Sequence, residues 1–249
     1  MDFVFRRAYR GPLKAAVLDW AGTTVDFGCC APAVVFVEVF KRQGVEITIE
    51  EARVPLGEEK RQHILEITQM PRVAAAWKSA NGTVVSNADV DKMYAEFVPL
   101  QIACLKDYAD LIPGTLDSVA DMRARGMQIG STSGYNREMM DTVIPLAAAR
   151  GYTADSVVSA SEVPKGRPAP WMALKSAEKM NVYPVEAIVK IGDTVPDVDE
   201  GLNAGMWTIA VAETGNEVGL SESDLAASDA ETRKRRVATA YERLAKAGA

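Results

Sequence analysis

Short apolar runs alternate with helix-like segments through the second half of the chain. Four runs lack helical periodicity, which is typical of strands buried on both faces. These runs lie at 127–131, 156–159, 187–191 and 207–211. The helix-like segments lie at 114–125, 136–150, 170–180 and 197–204. Strands that alternate with helices predict βαβ units and a parallel sheet.

A fifth apolar run, residues 15–18, lies near the start of the chain and is followed by a long region without strands. Residues 32–44 have the spacing of an amphipathic helix that stops at Gly44. Residues 48–107 contain helical stretches broken by glycine and proline. A helical insertion therefore separates the first strand from the other four.

This pattern predicts one α/β core and one inserted domain. The core comprises residues 1–27 and 109–249 and has a Rossmann-like parallel sheet. The all-helical insert comprises residues 28–108. A chain of 249 residues is long enough for a core of this kind and a smaller insert.

Composition and charge restrict the class of protein. The net charge is -6 and no basic stripe is present, which argues against a nucleic-acid partner. No apolar run reaches membrane-spanning length, and Met1–Arg10 lacks the apolar segment of a signal peptide, so we expect no membrane partner. Three cysteines, with Cys29 and Cys30 adjacent, make a poor disulfide framework. We predict a cytoplasmic protein.

Carboxylates follow two of the predicted strands. Asp19 ends the first apolar run just before Gly22, and Asp193 follows the run 187–191, with Asp197 one helical turn later. Open α/β sheets bind ligands at the carboxyl ends of their strands, and carboxylates suit Mg²⁺. Taken singly, Asp19 also fits an ordinary turn and Asp197 a helix N-cap.

A hydroxyl-rich turn and a cation complete this pattern. Residues 129–135 read Ile-Gly-Ser-Thr-Ser-Gly-Tyr, so Ser133 and the backbone N–H groups of the turn suit phosphate oxygens. Lys165 and Arg167 compete for the role of a phosphate-binding cation in the loop before a helix. Singly, Ser133 also fits a helix cap and Arg167 a surface ion pair. Their common placement at strand ends favours a site.

The series of Asp19, Ser133, Arg167 and Gly-Asp193-x-x-x-Asp197 resembles the four motifs of the haloacid dehalogenase superfamily. The helical insert is similar to the α-helical cap of that superfamily. In its phosphotransferases an Asp two residues after the first acts as the general acid/base, whereas Ala21 stands there in this chain. An alanine cannot transfer protons, which argues against an ordinary phosphatase or sugar phosphomutase.

The motif Asp-Trp-Ala-Gly-Thr-Thr resembles one subgroup, the phosphonoacetaldehyde hydrolase family, and the resemblance covers nearly the whole chain. Further matching segments are Arg53-Val-Pro-Leu-Gly-x-x-Lys60-x-x-His63, Met70-Pro-Arg, Gly130-Ser-Thr-x-Gly-Tyr-x-Arg-x-Met-Met-Asp141, Gly166-Arg-Pro-x-Pro-Trp-Met172 and Asn203-Ala-Gly-Met-Trp-Thr208. The Gly-Arg-Pro motif favours Arg167 over Lys165. The chain departs from the family at Leu56, where Met is usual, and at Glu58-Glu59.

A lysine and the only histidine of the chain lie close together in the insert. A helix that starts at Leu56 places several residues on one face: Gly57, Lys60, His63, Ile64 and Ile67. This pattern alone favours a lysine that reaches solvent and a histidine satisfied in the core. The resemblance instead implies that Lys60 forms a Schiff base and that His63 transfers its protons. We expect Arg61 or Arg53 to help lower the pKa of Lys60.

The resemblance implies hydrolysis of the C–P bond of phosphonoacetaldehyde, with Asp19 as nucleophile and Mg²⁺ as cofactor. The metal ligands it implies are Asp19, the Ala21 carbonyl, Asp193 and Asp197. The residues it implies for substrate and phosphate binding are Ser133, Gly134, Arg167, Tyr135, Gly57 and Cys29. A packed linker role for Cys29 stays open beside this one. The resemblance also implies a homodimer through the caps, for which 34–40 and 74–77 are candidate surfaces.

Two other functions remain open at this stage. An ordinary phosphate-ester hydrolase would use Asp19 and ignore Lys60, but Ala21 argues against it. A non-catalytic phosphate-binding protein would retain the metal site without turnover. Because Asp19, Ser133, Arg167 and Asp193 are all intact, the sequence favours an enzyme.

Overall fold

A five-stranded parallel sheet forms the centre of the computed structural model, which describes residues 9–249. The strands are β1 (Ala15–Leu18), β2 (Gln128–Ser133), β3 (Ser156–Ser159), β4 (Ile188–Gly192) and β5 (Trp207–Ala210). Their order in the sheet is β3-β2-β1-β4-β5. The predicted parallel sheet is therefore confirmed. Residues 1–8, to which most of the signal-peptide prediction refers, lie outside the described residues.

The strand order places the carboxyl ends of β1 and β4 side by side. Leu18 pairs with Ser131 of β2 on one side and with Ile191 of β4 on the other. Successive strands run outward from β1 in one direction and from β4 in the other, so the direction of winding changes between these two strands. Such a switch point is where open α/β sheets bind ligands.

Five of the six helices between β1 and β2 form most of the predicted insert. They are α1 (Cys30–Arg42), α2 (Ile49–Arg53), α3 (Lys60–Gln69), α4 (Pro71–Asn81) and α5 (Asn87–Leu105). Their apolar faces pack on one another: the rings of Phe36 and Phe97 stack with centroids 4.4 Å apart. The helical insertion into an α/β fold is confirmed.

The remaining helices cover the sheet or follow it. They are α6 (Thr115–Ala124), α7 (Arg137–Ala149), α8 (Trp171–Lys179), α9 (Val195–Asn203), α10 (Glu222–Ala227) and α11 (Ala230–Ala247). The sheet is covered by helices such as α8 against β2 and β3, and α9 against β4 and β5. The hydroxyl of Thr208 in β5 donates to the carbonyl of Gly248, which fixes the end of α11 beside the sheet.

The predicted start of α3 is wrong by one turn. The helix begins at Lys60, with Glu59 as the N-cap that accepts from two backbone N–H groups of the first turn. Leu56 and Gly57 lie in the preceding turn, and Gly57 has φ +101°, which a helix does not permit. Gly57 therefore does not share a helical face with Lys60.

Of the two segments predicted as a dimer surface, 34–40 is largely buried inside the chain, whereas Ala74 and Ala75 of the segment 74–77 are exposed. Val35, Phe36, Val39 and Phe40 are buried in the helical insert, as is Trp77. The apolar periodicity reflects packing among these helices, so these side chains are not available for a surface between two copies. The homodimer itself stays a prediction.

The predicted absence of disulfides agrees with the structure, because all three cysteines are free thiols. Within residues 9–249, no helix combines the length and apolar character that crossing a membrane requires.

Candidate active site

Three carboxylates meet at the switch point of the sheet. Asp19 follows β1, Asp193 follows β4, and Asp197 lies in the first turn of α9, and all three are buried. One oxygen of each lies within 4.8 Å of the others. A Cβ on Gly22 would lie 2.2 Å from Asp193 Oδ2, and Gly22 has φ +85°. Only glycine therefore permits the turn after Asp19 to approach Asp193 this closely.

Asp193 is oriented by donors on two sides. The hydroxyl of Thr23 donates to its Oδ1 at 3.2 Å, and the backbone N–H of Asn216 donates to its Oδ2 at 2.8 Å. Burial, followed by repulsion from Asp19 and Asp197, raises the pKa of Asp193 well above its ordinary value. Burial raises the pKa of Asp19 as well, although Arg167 opposes this effect.

This cluster fits a divalent cation. Its ligand atoms are carboxylate oxygens, which hard cations such as Mg²⁺ prefer. The raised pKa of Asp193 reflects burial among like charges, and a bound cation would relieve that repulsion. Ala21, whose carbonyl is a predicted metal ligand, lines the same cavity as Asp19.

Asp197 is held by cations as well as by its helix. Its Oδ1 accepts from Lys190 Nζ at 2.6 Å and lies 3.1 Å from a guanidinium nitrogen of Arg167. Burial alone would raise its pKa, but Arg167 and Lys190 hold the pKa of Asp197 below its ordinary value. Thr194, rather than Asp197, is the N-cap of α9, and Asp197 completes the capping box.

Arg167 is a buried residue of the cluster and not a surface cation. One guanidinium nitrogen donates to Asp19 Oδ1 at 2.6 Å and to the hydroxyl of Thr132 at 2.9 Å. Its Nε donates to Glu200 Oε2 at 2.9 Å. Lys165 is exposed, so the structure supports the choice of Arg167 as the cation beside Asp19.

Lys60 is buried, and two aromatic rings lie within cation–π distance of its amine. Nζ lies 5.4 Å from the ring centre of Tyr135 and 5.9 Å from that of Phe36. Burial lowers the pKa of Lys60; Cys29 and Asp19 oppose the effect, and Arg167 adds to it. The expected help from Arg61 is wrong, because Arg61 pairs with Asp91 at the surface.

Arg53 also fails as the cation that lowers the pKa of Lys60. Its guanidinium donates to the carbonyl of Gly28 and to the side chain of Asn216. Arg167 on the α/β core is the cation that acts on the Lys60 amine. The sequence spacing along α3 could not show this, because Arg167 approaches from another element.

His63 is fully buried against Phe36, with ring centres 3.8 Å apart. Its Nε2 lies 2.8 Å from the carbonyl of Ala52, which requires a proton on Nε2. Burial and the charge of Lys60 lower the pKa of His63 well below its ordinary value, so the ring is neutral. Its Nδ1 is buried and has no hydrogen-bond partner among the described residues.

A small cavity of about 20 Å³ brings the predicted site residues together. Its lining includes Asp19, Ala21, Cys29, Gly57, Lys60, Ser133, Gly134, Tyr135 and Arg167. Space of this size holds about one water molecule. Asp193, Asp197 and His63 lie behind this lining rather than in it.

Two glycines allow the insert to close on the sheet. A Cβ on Gly57 would lie 2.3 Å from Thr194 Oγ1, and a Cβ on Gly134 would lie 2.6 Å from the carbonyl oxygen of Glu58. Ser133 does not cap a helix, since Asn136 is the N-cap of α7; its hydroxyl accepts from the N–H of Tyr135.

Comparisons with known proteins agree with this site. The sequence matches the haloacid dehalogenase-like hydrolase family over residues 13–205. It is 49% identical to phosphonoacetaldehyde hydrolase of Nitratidesulfovibrio vulgaris, covering 99% of this chain and 88% of that protein. It is 46% identical to the enzyme of that name from Hahella chejuensis, covering 100% and 85%. The structure of a phosphonoacetaldehyde hydrolase-like protein from Oleispira antarctica superposes with a TM-score of 0.95 at 40% identity, covering 100% and 90%.

The chain belongs to the phosphonoacetaldehyde hydrolase family of the haloacid dehalogenase superfamily.

Three buried polar residues of the site were missed in the sequence analysis. Thr132, Lys190 and Glu200 are all buried and surround Arg167 and Asp197. Glu200 Oε2 accepts from the hydroxyl of Thr132 at 3.0 Å, in addition to Arg167. A lysine inside an otherwise apolar strand was the available signal for Lys190. Nothing in the helical pattern of α9 distinguished Glu200 from a surface acid.

Proposed function

We propose that this protein hydrolyses the C–P bond of phosphonoacetaldehyde to give acetaldehyde and phosphate. The observation that carries the proposal is a buried lysine amine lining the same small cavity as Asp19, with Ala21 where an ester hydrolase needs an acid. The names of the relatives at 46–49% identity support the same substrate.

Lys60 supplies the means to break a C–P bond. Its amine adds to the substrate aldehyde with loss of water and gives a protonated imine. When the C–P bond breaks, its electron pair moves into this imine and leaves an enamine. Burial favours this step, because a lower pKa makes more of the amine neutral and nucleophilic at neutral pH.

Asp19 receives the phosphoryl group. Its carboxylate forms an O–P bond as the C–P bond breaks, and water then hydrolyses the aspartyl phosphate to phosphate. Arg167 lies 2.6 Å from Asp19 Oδ1 and can bind phosphoryl oxygens together with Ser133 and the N–H groups of its turn. The enamine takes a proton, and hydrolysis of the resulting imine releases acetaldehyde and restores Lys60.

We assign Mg²⁺ as the cofactor of this site. Asp19, Asp193 and the Ala21 carbonyl would hold it, and Asp197, which Lys190 fixes in position, would support it from behind. When bound, it neutralises charge on the phosphoryl oxygens.

His63 is proposed as the proton-transfer partner of Lys60. The two residues lie one turn apart on α3, and the charge of Lys60 acts on the pKa of His63. The hydrogen bond to Ala52 keeps the proton on Nε2, which leaves Nδ1 as the basic atom.

Substrate access requires the helical insert to move. The cavity of about 20 Å³ has room for about one water molecule and not for a phosphonate. We propose that residues 28–108 act as a cap that opens for binding and closes to exclude water during the reaction.

The test is to incubate the protein with phosphonoacetaldehyde and Mg²⁺ and to measure acetaldehyde and phosphate together. Equal amounts of both products, absent with Lys60→Ala, support the proposal. Phosphate release from ordinary phosphate esters, without acetaldehyde and unaffected by Lys60→Ala, would replace it with the ester-hydrolase function. No turnover of either substrate would also contradict it.

A further inference from the structure

Arg53 connects the helical insert to the α/β core at a point away from the reacting groups. It ends α2, and one guanidinium nitrogen donates to the carbonyls of Gly28 and Cys29 at 2.7 and 3.3 Å. The same nitrogen donates to Asn216 Oδ1 at 3.1 Å. The residue thus joins the insert, the segment that links it to β1, and the loop after β5.

Asn216 hydrogen-bonds to Arg53 and also contacts the carboxylate cluster. Its side-chain amide donates to the backbone carbonyl of Arg53 at 3.4 Å, so the two residues bond in both directions. Its own backbone N–H donates to Asp193 Oδ2 at 2.8 Å. One buried residue of the core therefore orients Asp193 and binds the insert.

We propose that Arg53 and Asn216 form a latch that holds the insert closed over the site. The latch does not line the cavity, so both are positioning residues and not catalytic ones. What it positions is the turn after Arg53, which carries Leu56 and Gly57 to the cavity wall, and the linker residue Cys29. The kinetic consequence rests on the proposed function, whereas the closing of the insert does not.

The geometry of the linker explains why an arginine is needed. Gly28 and Cys29 both have positive φ, at +83° and +49°, and both of their carbonyls accept from Arg53. One guanidinium nitrogen contacts both carbonyls and Asn216, while the second donates to Cys30 Sγ at 3.6 Å, so the two-nitrogen fork holds the linker at three successive residues. A lysine ammonium has fewer donors and no such fork, so Arg53→Lys should close the latch only in part.

Cys29 provides a probe of closure that needs no substrate. It lines the small cavity with only 5% of its surface exposed, and opening of the insert would expose it to a thiol reagent. The background is Cys30→Ser, Cys104→Ser, in which the serine hydroxyl at position 30 keeps an acceptor for the Arg53 nitrogen that lies 3.6 Å from Cys30 Sγ. In this background we expect Arg53→Met to raise the labelling rate of Cys29 about tenfold, which corresponds to the loss of one or two net hydrogen bonds. Asn216→Ala should act similarly, and the double variant should add little, because the two residues act as one unit.

Arg72→Met is the matched control. Arg72 also spans two segments, but both belong to the insert, since it contacts Glu51 and the carbonyl of Glu46. Its loss should leave the labelling rate of Cys29 unchanged. Equal labelling of Arg53→Met and the parent protein, or the same increase in Arg72→Met, would overturn the latch.

The kinetic experiment then tests the role in the reaction. We expect Arg53→Met to raise KM for phosphonoacetaldehyde about tenfold with a smaller change in kcat, and Arg53→Lys to recover part of it. A residue that only stabilises the fold would lower Tm and leave KM unchanged, which would contradict the proposal. If the parent protein does not cleave phosphonoacetaldehyde, the proposed function fails, and the labelling comparison still decides the latch.

Discussion

At the scale of single residues, burial determines the chemistry of Lys60. Burial lowers its pKa from the ordinary value of 10.5, so the unfolded chain binds a proton there more readily than the folded one. Its contribution to stability is therefore complete above the ordinary pKa and is lost as the pH falls through the lowered one. A neutral Lys60 amine at neutral pH therefore comes with a lower free energy of unfolding.

We therefore predict that Lys60→Met is more stable than the parent protein at pH 7 and that this advantage shrinks as the pH approaches 10.5. Urea unfolding of both proteins at several pH values gives the difference in free energy directly. A Lys60→Met variant that is less stable by the same amount at every pH would show that the lysine is not desolvated as described.

Glu200 is the residue whose removal should cost the most stability around Arg167. It accepts from Arg167 at 2.9 Å and lies 3.6 Å from Lys190, and all three are buried. Glu200→Gln keeps the size but leaves two buried cations with less compensation, so we expect a loss of about 3 kcal/mol in the free energy of unfolding.

The surface pair of Arg125 and Asp121 provides the control for Glu200→Gln. Both side chains are largely exposed, so Asp121→Asn should change the free energy of unfolding by less than about 0.5 kcal/mol. Equal effects of the two substitutions in chemical denaturation would contradict the account of the buried cluster.

The site residues that could be predicted from sequence are those that lie next to a recognisable strand or turn. Asp19, Ser133 and Asp193 stand at the ends of strands and were found there. The role of Glu200 depends on Thr132 and Arg167, which are distant in sequence, and its position on α9 resembles that of any surface acid. The prediction that Arg61 or Arg53 lowers the pKa of Lys60 was wrong for the same reason, because Arg167 is distant from Lys60 in sequence.

At the scale of elements, the turn before α3 fixes how closely the insert approaches the sheet. Gly57 has φ +101°, and a Cβ there would lie 2.3 Å from Thr194 Oγ1. Gly57→Ala should therefore lower kcat/KM about 100-fold, because the turn cannot seat against α9 and Lys60 is displaced from the site.

Gly82 allows a matched comparison with Gly57. It has φ +75° at the end of α4, but a Cβ there would meet nothing within 4 Å. Gly82→Ala should thus cost about 1 kcal/mol of stability and leave kcat/KM unchanged. Equal kinetic effects of the two substitutions would show that close packing at Gly57 is not what matters.

Most elements could be predicted because burial on two faces leaves a clear apolar run. The first strand occupies residues 15–18 as predicted, and the four later strands agree to within two residues at each end. The start of α3 could not be predicted from periodicity, since Glu59 caps the helix and the preceding glycine adopts a positive φ. The spacing of apolar side chains indicates neither the cap nor the positive φ.

At the scale of the whole molecule, the two halves of the proposed chemistry come from different parts of the fold. Asp19 and Arg167 belong to the sheet and its loops, whereas Lys60 and His63 belong to α3 of the insert. In this structure the insert and the core bring Asp19, Arg167 and Lys60 to one small cavity. This arrangement explains why the cavity between them is nearly filled, at about 20 Å³.

The overall architecture was predictable from sequence, while the contacts across the boundary were not. The parallel sheet and the helical insertion follow from two distinct periodicities and are confirmed. The latch of Arg53 and Asn216 joins residues far apart in the chain, so no local pattern reports it. The boundaries at residues 28 and 108 and the homodimer stay predictions.

The central claim is that Lys60 forms an imine with the substrate, and chemical trapping tests it most directly. The protein is incubated with phosphonoacetaldehyde and Mg²⁺, reduced with borohydride, digested, and analysed by mass spectrometry. The account predicts a reduced adduct on the peptide that contains Lys60, together with loss of activity that needs both substrate and borohydride. Full activity after this treatment, with Lys60 unmodified and acetaldehyde still released, would contradict it.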